Sequence, residues 1–313
     1  MKDVTFCDHF RWNPLKPYQV VATKLSDAAS FKSAVKSHLD AVGKDHVLYY
    51  THGLAIDPSK SIKETKDLQN GAYEMISVHW RNHWGSGFFS YDYCRRAYAP
   101  RIGKHLAAAF EAFNGVDYYQ SMMSHSMGNY VFRVFAQNIE NNGFTIPEEP
   151  VFKNWFSVAA DARMDMFSSE YNPAVSGLDE LESPEDLEED LDMPEDELVA
   201  NGGYTISRVA ANSHVLYDRW DGALSIRETF QAGWGEGIRK ALGKYGRQAE
   251  MDMDEYFDDK VKFHNFDQFG PLHNYQLRPD VKDVYVEWAT KDIPSAMNQK
   301  NSNASDKVEV KYY

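Results

Sequence analysis

Residues 118–138 read YYQSMMSHSMGNYVFRVFAQN, and this stretch decides the predicted fold. Its beginning, Tyr118 to Met123, is a short run of the kind that forms a buried strand. Its end, Tyr130 to Asn138, is compatible with a helix. The hexapeptide SHSMGN between them is therefore expected to form a tight turn from strand to helix, and such a turn can present a serine side chain at the edge of a sheet.

The central serine of this turn, Ser126, is a candidate nucleophile. On a strained strand-to-helix turn, the positions two before and two after the serine must be very small to avoid backbone clashes. Gly128 meets this demand, and Ser124 stands where the G-x-S-x-G pattern has glycine. The helix directs its first amides, beginning near Met127, and the positive end of its dipole at the turn. The alternative is a serine that only caps this helix.

Strands and helices alternate along the chain on both sides of this turn. Leu25–Val42 has apolar residues at steps of four, which predicts an amphipathic helix with Ser26 as its N-cap and Gly43 at its end. A further helix is predicted to begin at Pro100. Its apolar stripe consists of Ile102, Leu106, Phe110 and Phe113. The predicted strands are His46–Thr51, Met75–Trp80, Tyr118–Met123, Trp155–Ala160, Ser213–Tyr217 and Val261–Phe266.

This alternation predicts an α/β fold with a mostly parallel central sheet and helices on both faces. Parallel neighbours need crossover connections, and those connections cover the sheet. The length of 313 residues and the hydrophobic content of 43% are sufficient for a sizeable core without metal or disulfides. We expect a single domain over residues 1–294, followed by a polar tail over residues 295–313.

The net charge of −14 is concentrated in one segment. Asp179–Glu197 contains twelve carboxylates and no Lys or Arg, so the remaining chain has 35 acidic residues against 33 basic ones. This near balance argues against nucleic acid as a partner, because there is no basic surplus to displace counterions. Pro184 and Pro194 favour a solvated insertion between the strands that lead to Asp161 and Asp221. The sharper alternatives are a lid over the site, or a patch that binds calcium or a basic partner.

The cysteines and histidines give no sign of a metal site. Cys7 and Cys94 are far apart in sequence and form neither a disulfide framework nor a CxxC pair, so we expect a reducing, cytoplasmic location. Met1–Pro14 has no apolar signal-peptide core, and the chain has no unbroken apolar stretch of about 18 residues or more. His79 and His83 are poorly placed as paired metal ligands, because four residues of strand separate side chains by about 13 Å. We predict no metal.

An acid and a histidine that could complete a triad with Ser126 occur in the required order. On this type of scaffold the acid lies in a loop after a later strand, and the histidine lies after the last strand. Asp221 follows the predicted strand that ends at Tyr217, and His273 follows the run that ends at Phe266. Asp221 and His273 are therefore the candidate acid and base.

Other residues compete for these two roles. Asp161 ends the strand directly after the serine helix, and in some triads the acid comes from that strand; its alternative role is a helix cap or a sheet-end carboxylate. Asp218 is also close to Asp221 in sequence. His264 alternates within a predicted strand, which favours a structural role. His125 adjoins the serine but is expected to point away from the site.

The remaining part of an acyl-transfer site is a pair of amides that bind the oxyanion. One is expected from the residue after the nucleophile, Met127, and the other from the loop after an early strand. His52-Gly53-Leu54 ends the first predicted strand, so Leu54 N–H is the candidate for the second donor. His52 and Gly53 are expected on the substrate side of the site. Trp84, in an aromatic-rich loop, is expected to line the substrate pocket unless its ring belongs to the core.

Together, these motifs resemble those of the α/β-hydrolase superfamily. The HG pair after the first strand, the SHSMGN turn, the DGALS run from Asp221 and the HNY run from His273 are similar to a bacterial branch of uncharacterised serine-esterase-like domains. The likeness covers Val47 to Trp288. It implies Ser126 as nucleophile, Asp221 as acid and His273 as base, in a carboxylic-ester or related acyl hydrolase that uses no cofactor.

The predicted function is therefore hydrolysis of a small-molecule ester through an acyl-enzyme on Ser126. A binding or interaction protein without catalysis, in which the acidic segment recruits a basic partner, is the alternative from a different class, because a fold alone does not fix function. Thioesterase or acyltransferase activity is an alternative within the same chemistry.

Overall fold

The computed structural model describes residues 27–54, 56, 58–78, 80, 91, 94, 99–162, 164–167, 202–233, 240–246 and 259–291. Several sequence expectations lie outside these residues: those for Met1–Pro14 with Cys7, for His79 and His83, for Trp84, for the acidic segment 179–197 and for the tail 295–313. The structural statements that follow concern the described residues.

Six strands among the described residues form one parallel sheet. The strands are β1 (His46–Thr51), β2 (Glu74–Val78), β3 (Tyr119–His125), β4 (Phe152–Val158), β5 (Ala210–Tyr217) and β6 (Val261–Asn265). Their order in the sheet is β2-β1-β3-β4-β5-β6, and every neighbouring pair is parallel. The prediction of a parallel α/β sheet is confirmed.

The helices connect these strands and cover the sheet. The described α-helices are α1 (Ala28–Val42), α2 (Pro58–Leu68), α3 (Ala99–Ala108), α4 (Gly128–Asn138), α5 (Gly202–Val209), α6 (Gly222–Gly233), α7 (Leu242–Tyr245) and α8 (Pro279–Thr290). Short 3₁₀ turns lie at Phe110–Ala112, Glu140–Asn142, Met164–Phe167, Asp267–Phe269 and Tyr275–Leu277. Because the strands are parallel, all of their carboxyl ends lie at one edge of the sheet, and the loops that leave this edge carry the candidate site residues.

An aromatic core lies between one face of the sheet and helices α1, α3 and α4. The Phe132 ring of α4 stacks on Trp155 of β4 with ring centroids 5.5 Å apart, and Phe113 meets Tyr49 of β1 edge to face at 5.3 Å. All four side chains are buried. Burial of each such side chain contributes about 1.5–3 kcal/mol. The packing of α4 against this face fixes the position of the turn at its N-terminus.

A second core lies on the opposite face, under α2 and α8. Leu68 of α2 and Tyr285 of α8 pack there with Tyr50, Met123 and Phe156 of the sheet. The Phe156 and Tyr285 rings meet edge to face at 5.1 Å. Helices therefore cover both faces of the sheet, as the sequence predicts.

A row of hydrogen-bonded polar side chains crosses five strands under α8. This row, called here the histidine row, consists of His46 (β1), Ser121 (β3), Asn154 (β4), His214 (β5) and His264 (β6). Its successive contacts are 3.0, 3.3, 3.3 and 3.2 Å long. His46 Nδ1 also donates to the carbonyl of Ala289 in α8 at 2.9 Å. The row therefore ties α8 to the buried face of the sheet.

Two sequence predictions about helix ends are wrong. The N-cap of α1 is Asp27 instead of Ser26, since the Asp27 carboxylate accepts a hydrogen bond from Ser30 N–H at 3.0 Å. Helix α3 ends before Phe110, which lies in a 3₁₀ turn with Phe113 directly after it. Both rings are buried in the aromatic core, so their spacing reflects burial and does not show where the helix ends.

Candidate active site

Ser126 lies at the corner between β3 and α4. Its φ is +53°, in the left-handed region that residues other than glycine seldom adopt. Ser126 N–H donates to Val158 O at 3.0 Å, and the Ser126 carbonyl accepts from Asp161 N–H at 3.2 Å. The same carbonyl accepts from Asn129 Nδ2 at 2.9 Å and from Asn129 N–H at 3.1 Å. These bonds stabilise the strained corner, and the serine retains 8% exposure.

Two glycines allow the main chain to pack closely around this corner. A Cβ at Gly128 would lie 2.4 Å from Thr51 O, so only glycine lets α4 begin directly against the end of β1. A Cβ at Gly53 would lie 2.8 Å from Ser126 Cβ. The loop that follows β1 therefore lies directly beside the candidate nucleophile.

Ser124 fits the position where the G-x-S-x-G pattern has glycine. It is fully buried, and its Oγ accepts a hydrogen bond from the indole N–H of Trp155 at 3.2 Å. In the sheet it lies opposite Thr51 of β1 and Ser157 of β4. The small hydroxyl side chain therefore adds a contact between β3 and β4 without preventing the turn.

Asp221 and His273 form a hydrogen-bonded pair at the carboxyl edge of the sheet. The two carboxylate oxygens lie 2.8 and 3.0 Å from His273 Nδ1. A carboxylate only accepts, so Nδ1 carries the proton and Nε2 keeps the lone pair of a base. Asp221 is fully buried and also accepts from Leu224 N–H at 3.0 Å, whereas the His273 side chain is 20% exposed. The two donors offset the burial of the carboxylate.

Tyr275 fixes the segment after His273 to the sheet. Its buried hydroxyl donates to Leu216 O of β5 at 2.8 Å and accepts from Ala159 N–H, directly after β4, at 2.9 Å. Burial, with the charge of Asp221 as the second cause, raises the pKa of Tyr275 well above its ordinary value, so the hydroxyl stays a donor. The HNY run contains Tyr275, but the sequence did not predict that its hydroxyl would connect the ends of β4 and β5 by hydrogen bonds.

No hydrogen bond joins Ser126 Oγ to His273 in the part of the chain that the structure describes. The two residues are linked through His125, which directly precedes Ser126. Its ring centroid is 5.0 Å from that of His273. Catalytic contacts of this kind are often long in ligand-free enzymes and tighten when substrate binds. For Ser126 to pass its proton to His273, the imidazole must therefore move closer to the hydroxyl.

The competing carboxylates have other partners. Asp161 Oδ2 accepts a hydrogen bond from the Tyr91 hydroxyl at 2.6 Å. Asp218 Oδ1 accepts from Trp220 N–H at 2.9 Å, and burial raises the pKa of Asp218 to about 6. Of these three acids, Asp221 is the one that bonds the candidate base.

The competing histidines lie in two different surroundings. His264 belongs to the histidine row, where its Nε2 is 3.2 Å from His214 Nδ1. His125 Nε2 is 3.0 Å from the carbonyl oxygen of His273. Burial, with the nearby His273 as the second cause, lowers the pKa of His125 to about 3. His125 therefore contacts the loop of the candidate base, contrary to the expectation that it points away from the site.

The loop after β1 carries the second candidate oxyanion donor, and a buried histidine orders it. His52 stacks on Trp80 with ring centroids 5.4 Å apart, and its Nε2 accepts from Trp80 N–H at 3.3 Å. Nδ1 therefore carries the proton and donates to Gly53 O at 2.8 Å. Because a trans peptide places C=O and N–H on opposite sides, this bond directs Leu54 N–H away from the His52 ring. Among the hydrogen bonds of the described residues, neither Leu54 N–H nor Met127 N–H is a donor.

Within the described ranges, no group of three or more His, Cys, Asp and Glu side chains is arranged to hold a metal ion. The same residues include no helix with the length and apolar character needed to cross a bilayer.

These features define the class of the fold. The sheet is parallel, with β3 between β1 and β4, and the serine lies on the sharp turn between β3 and α4. The acid and the histidine follow β5 and β6. This arrangement is that of an α/β-hydrolase fold.

Comparisons with known proteins find distant likenesses only. No family model matches the chain, and no curated protein matches it. An esterase of Pyrococcus furiosus is 12% identical, with 79% of this chain and 83% of that chain covered and a TM-score of 0.35. RedJ, a thioesterase from the prodiginine biosynthetic pathway in Streptomyces coelicolor, is 12% identical over 90% of this chain and 97% of that chain, with a TM-score of 0.37. YbtT, a type II thioesterase from the yersiniabactin biosynthetic pathway, is 15% identical over 81% and 94%, with a TM-score of 0.34.

Proposed function

We propose that this protein is a serine hydrolase that cleaves a carboxylic ester through an acyl-enzyme on Ser126. The main observation behind the proposal is the hydrogen-bonded Asp221–His273 pair. It lies at the same edge of the sheet as the strained corner of Ser126. The pair provides a base of defined tautomer. The corner presents the Ser126 hydroxyl, which makes no hydrogen bond with a described residue. These are the two requirements of nucleophilic catalysis by serine.

In the first half of the reaction, Ser126 Oγ attacks the carbonyl carbon of the ester, and its proton passes to His273 Nε2. The bond from His273 Nδ1–H to the buried Asp221 carboxylate stabilises the imidazolium that forms. The carbonyl electron pair moves onto oxygen, where Met127 N–H and Leu54 N–H stabilise the negative charge. Loss of the alcohol, which takes the proton from His273, leaves the acyl-enzyme.

In the second half, a water molecule attacks the acyl-enzyme and transfers a proton to His273 Nε2. Collapse of the second tetrahedral intermediate releases the carboxylic acid and returns the proton to Ser126 Oγ. The Gly53 turn, ordered by His52, lies beside the serine and forms one wall of the substrate side. Trp84, outside the described residues, is the aromatic side chain that we propose for the pocket.

The first test is Ser126→Ala, assayed with p-nitrophenyl esters of increasing acyl length. Because the nucleophile is lost, turnover should fall by at least about a thousandfold, while the circular dichroism spectrum stays unchanged. Ser33→Ala, an exposed serine of α1, is the matched control and should retain full activity. A Ser126→Ala protein with undiminished turnover would refute the assignment.

A second test separates hydrolysis from the alternatives. A fluorophosphonate probe reacts only with an activated serine, so peptide mass spectrometry should find the adduct on Ser126. Absence of labelling on well-folded protein would favour a binding protein without catalysis. Labelling combined with poor ester turnover would instead point to a thioesterase or an acyltransferase, which acyl-thioester substrates and added alcohol or amine acceptors would then distinguish.

A further inference from the structure

We infer that His125 is a positioning residue for His273, acting through the main chain of the loop that carries this base. The inference rests on the proposed function, because the placement of His273 matters for catalysis only if it is the base. The hydrogen bond of His125 runs to the main-chain carbonyl of His273, and none of its described hydrogen bonds runs to Ser126 Oγ or to the Asp221 carboxylate, so it acts through another residue.

The hydrogen bond between His125 and the His273 loop has a defined donor and acceptor. His125 is the last residue of β3, and along the strand it shares a face with Met123, which packs in the same core as Tyr275. Its Nε2 lies 3.0 Å from the carbonyl oxygen of His273. A carbonyl only accepts, so Nε2 carries the proton and His125 is the donor.

The other side of the His125 ring faces the loop after β1. A Cβ at Gly53 would lie 3.2 Å from His125 Nδ1 and 2.8 Å from Ser126 Cβ. Nδ1 is buried and has no hydrogen-bond partner. An unpartnered buried nitrogen is unfavourable, and an apolar side chain in this place would avoid that cost. The Nε2 contact is therefore the feature that distinguishes histidine from a packing residue at this position.

The neutral state of His125 keeps a second positive charge away from His273. Burial lowers its pKa to about 3, so the ring remains neutral over the range in which esterases are assayed. A neutral ring with the proton on Nε2 does not place a second cation beside His273 when the latter becomes protonated. The ring centroids are 5.0 Å apart, a distance at which two cations would repel strongly.

Two anchors together determine where His273 Nε2 lies. Asp221 holds the ring at Nδ1, and His125 holds the main chain at the carbonyl of the same residue. Without the second anchor, the ring can rotate and shift while its bond to Asp221 persists. Small displacements of a catalytic group reduce the rate of the chemical step more than they reduce substrate binding.

The test compares two amide variants that differ only in where the N–H lies. Glutamine extends its amide nitrogen to about the position of Nε2, whereas asparagine reaches only the position of Nδ1. We expect His125→Asn to lower kcat by about tenfold to a hundredfold with little change in KM, and His125→Gln to restore kcat to within about threefold of wild type. Equal losses in the two variants, at equal thermal stability, would overturn the inference.

A matched control comes from His46, at the opposite edge of the sheet. This buried histidine also donates from its ring to a backbone carbonyl, that of Ala289, at 2.9 Å. His46→Leu therefore removes a contact of the same kind without touching the site. It should lower thermal stability and leave kcat unchanged, which separates positioning from a general structural effect.

A spectroscopic measurement keeps the inference independent of turnover. The His273 Nδ1 proton bonded to Asp221 is expected as a downfield resonance in the proton NMR spectrum. In His125→Asn this resonance should shift or broaden, and in His125→Gln and His46→Leu it should match wild type. If wild-type protein neither hydrolyses esters nor binds the probe, the proposed function fails, but this comparison still tests the contact. An unchanged resonance in His125→Asn would contradict it.

Discussion

At the corner of Ser126, the backbone holds a side chain in a conformation that is unfavourable by itself. A non-glycine residue in the left-handed region costs about 1–2 kcal/mol. Ala159, directly after the neighbouring strand, has a φ of +46° and lies in the same region. Hydrogen bonds from Asn129 to the Ser126 carbonyl, and between Ala159 N–H and the Tyr275 hydroxyl, stabilise the two residues. Among the described residues, the two non-glycine residues with positive φ thus both lie directly after strands that frame the candidate site.

A prediction at the residue scale concerns Gly53. In Gly53→Ala the new methyl group would lie 2.8 Å from Ser126 Cβ, so the corner or the oxyanion loop must shift. We expect kcat for ester hydrolysis to fall by about tenfold to a hundredfold, because both the proposed nucleophile and a proposed oxyanion donor adjoin this contact. Gly71→Ala is the control, since a Cβ there has no neighbour within 4 Å. A Gly53→Ala enzyme as active as Gly71→Ala would show that the close contact is unimportant.

At the scale of elements, the loop after β5 and the loop after β4 compete to supply the triad acid. Asp221, after β5, bonds His273, whereas Asp161, after β4, bonds Tyr91. Asparagine at position 221 can donate to the imidazole and favour the wrong tautomer. We therefore predict that Asp221→Asn lowers kcat by about a thousandfold to ten-thousandfold, and that Asp161→Asn lowers it by less than about tenfold.

Steady-state kinetics on both variants, with circular dichroism to verify folding, decides between these loops. The opposite order of effects would assign the acid to β4 and contradict the role of Asp221. Fluorophosphonate labelling of Ser126 should slow in parallel with kcat, since both depend on the same base.

The sequence predicts the elements well where periodicity and chain order are sufficient. All six strands were predicted, because each is a short apolar or aromatic run between turn residues. The sequence did not predict that α3 ends before Phe110. Residues that face a core keep a similar spacing whether they belong to one helix or to a helix followed by a 3₁₀ turn. The N-cap was misplaced by one residue, since Ser26 and Asp27 are both good caps.

The sequence predicts only those site residues whose position after successive strands is informative. Asp221 and His273 were chosen by their position after successive strands, and the structure brings these two side chains within 2.8 Å. The roles of His125 and Tyr275 depend on contacts with main-chain carbonyls or amides of distant strands and loops. No local pattern records such contacts, so the sequence alone could not indicate them.

At the scale of the whole molecule, the parallel sheet separates two kinds of polar group. The candidate catalytic residues lie at the carboxyl edge, where His273 is partly exposed, Ser126 retains 8% exposure and Asp221 is buried. The histidine row lies inside, between the sheet and α8, and each member belongs to a different strand. One of its hydrogen bonds requires a neutral ring, because His214 donates from Nε2 to Asn154 Oδ1 and accepts at Nδ1 from His264. Protonation of His214 would therefore break its contact with His264.

This arrangement predicts that the folded protein loses stability in mild acid. Burial lowers the pKa of His46 from 6.5 to about 4, and burial also lowers the pKa values of His214 and His264. Between these values and 6.5 the unfolded chain binds more protons than the folded chain. The free energy of unfolding should therefore fall with pH below 6.5, by about 1.4 kcal/mol per pH unit for each fully neutral buried histidine.

Urea denaturation between pH 7.5 and 4.5 measures this slope, and His46→Leu should make it shallower by the contribution of one histidine. If the variant and the wild type lose stability along the same slope, the buried row does not control the acid sensitivity of the fold.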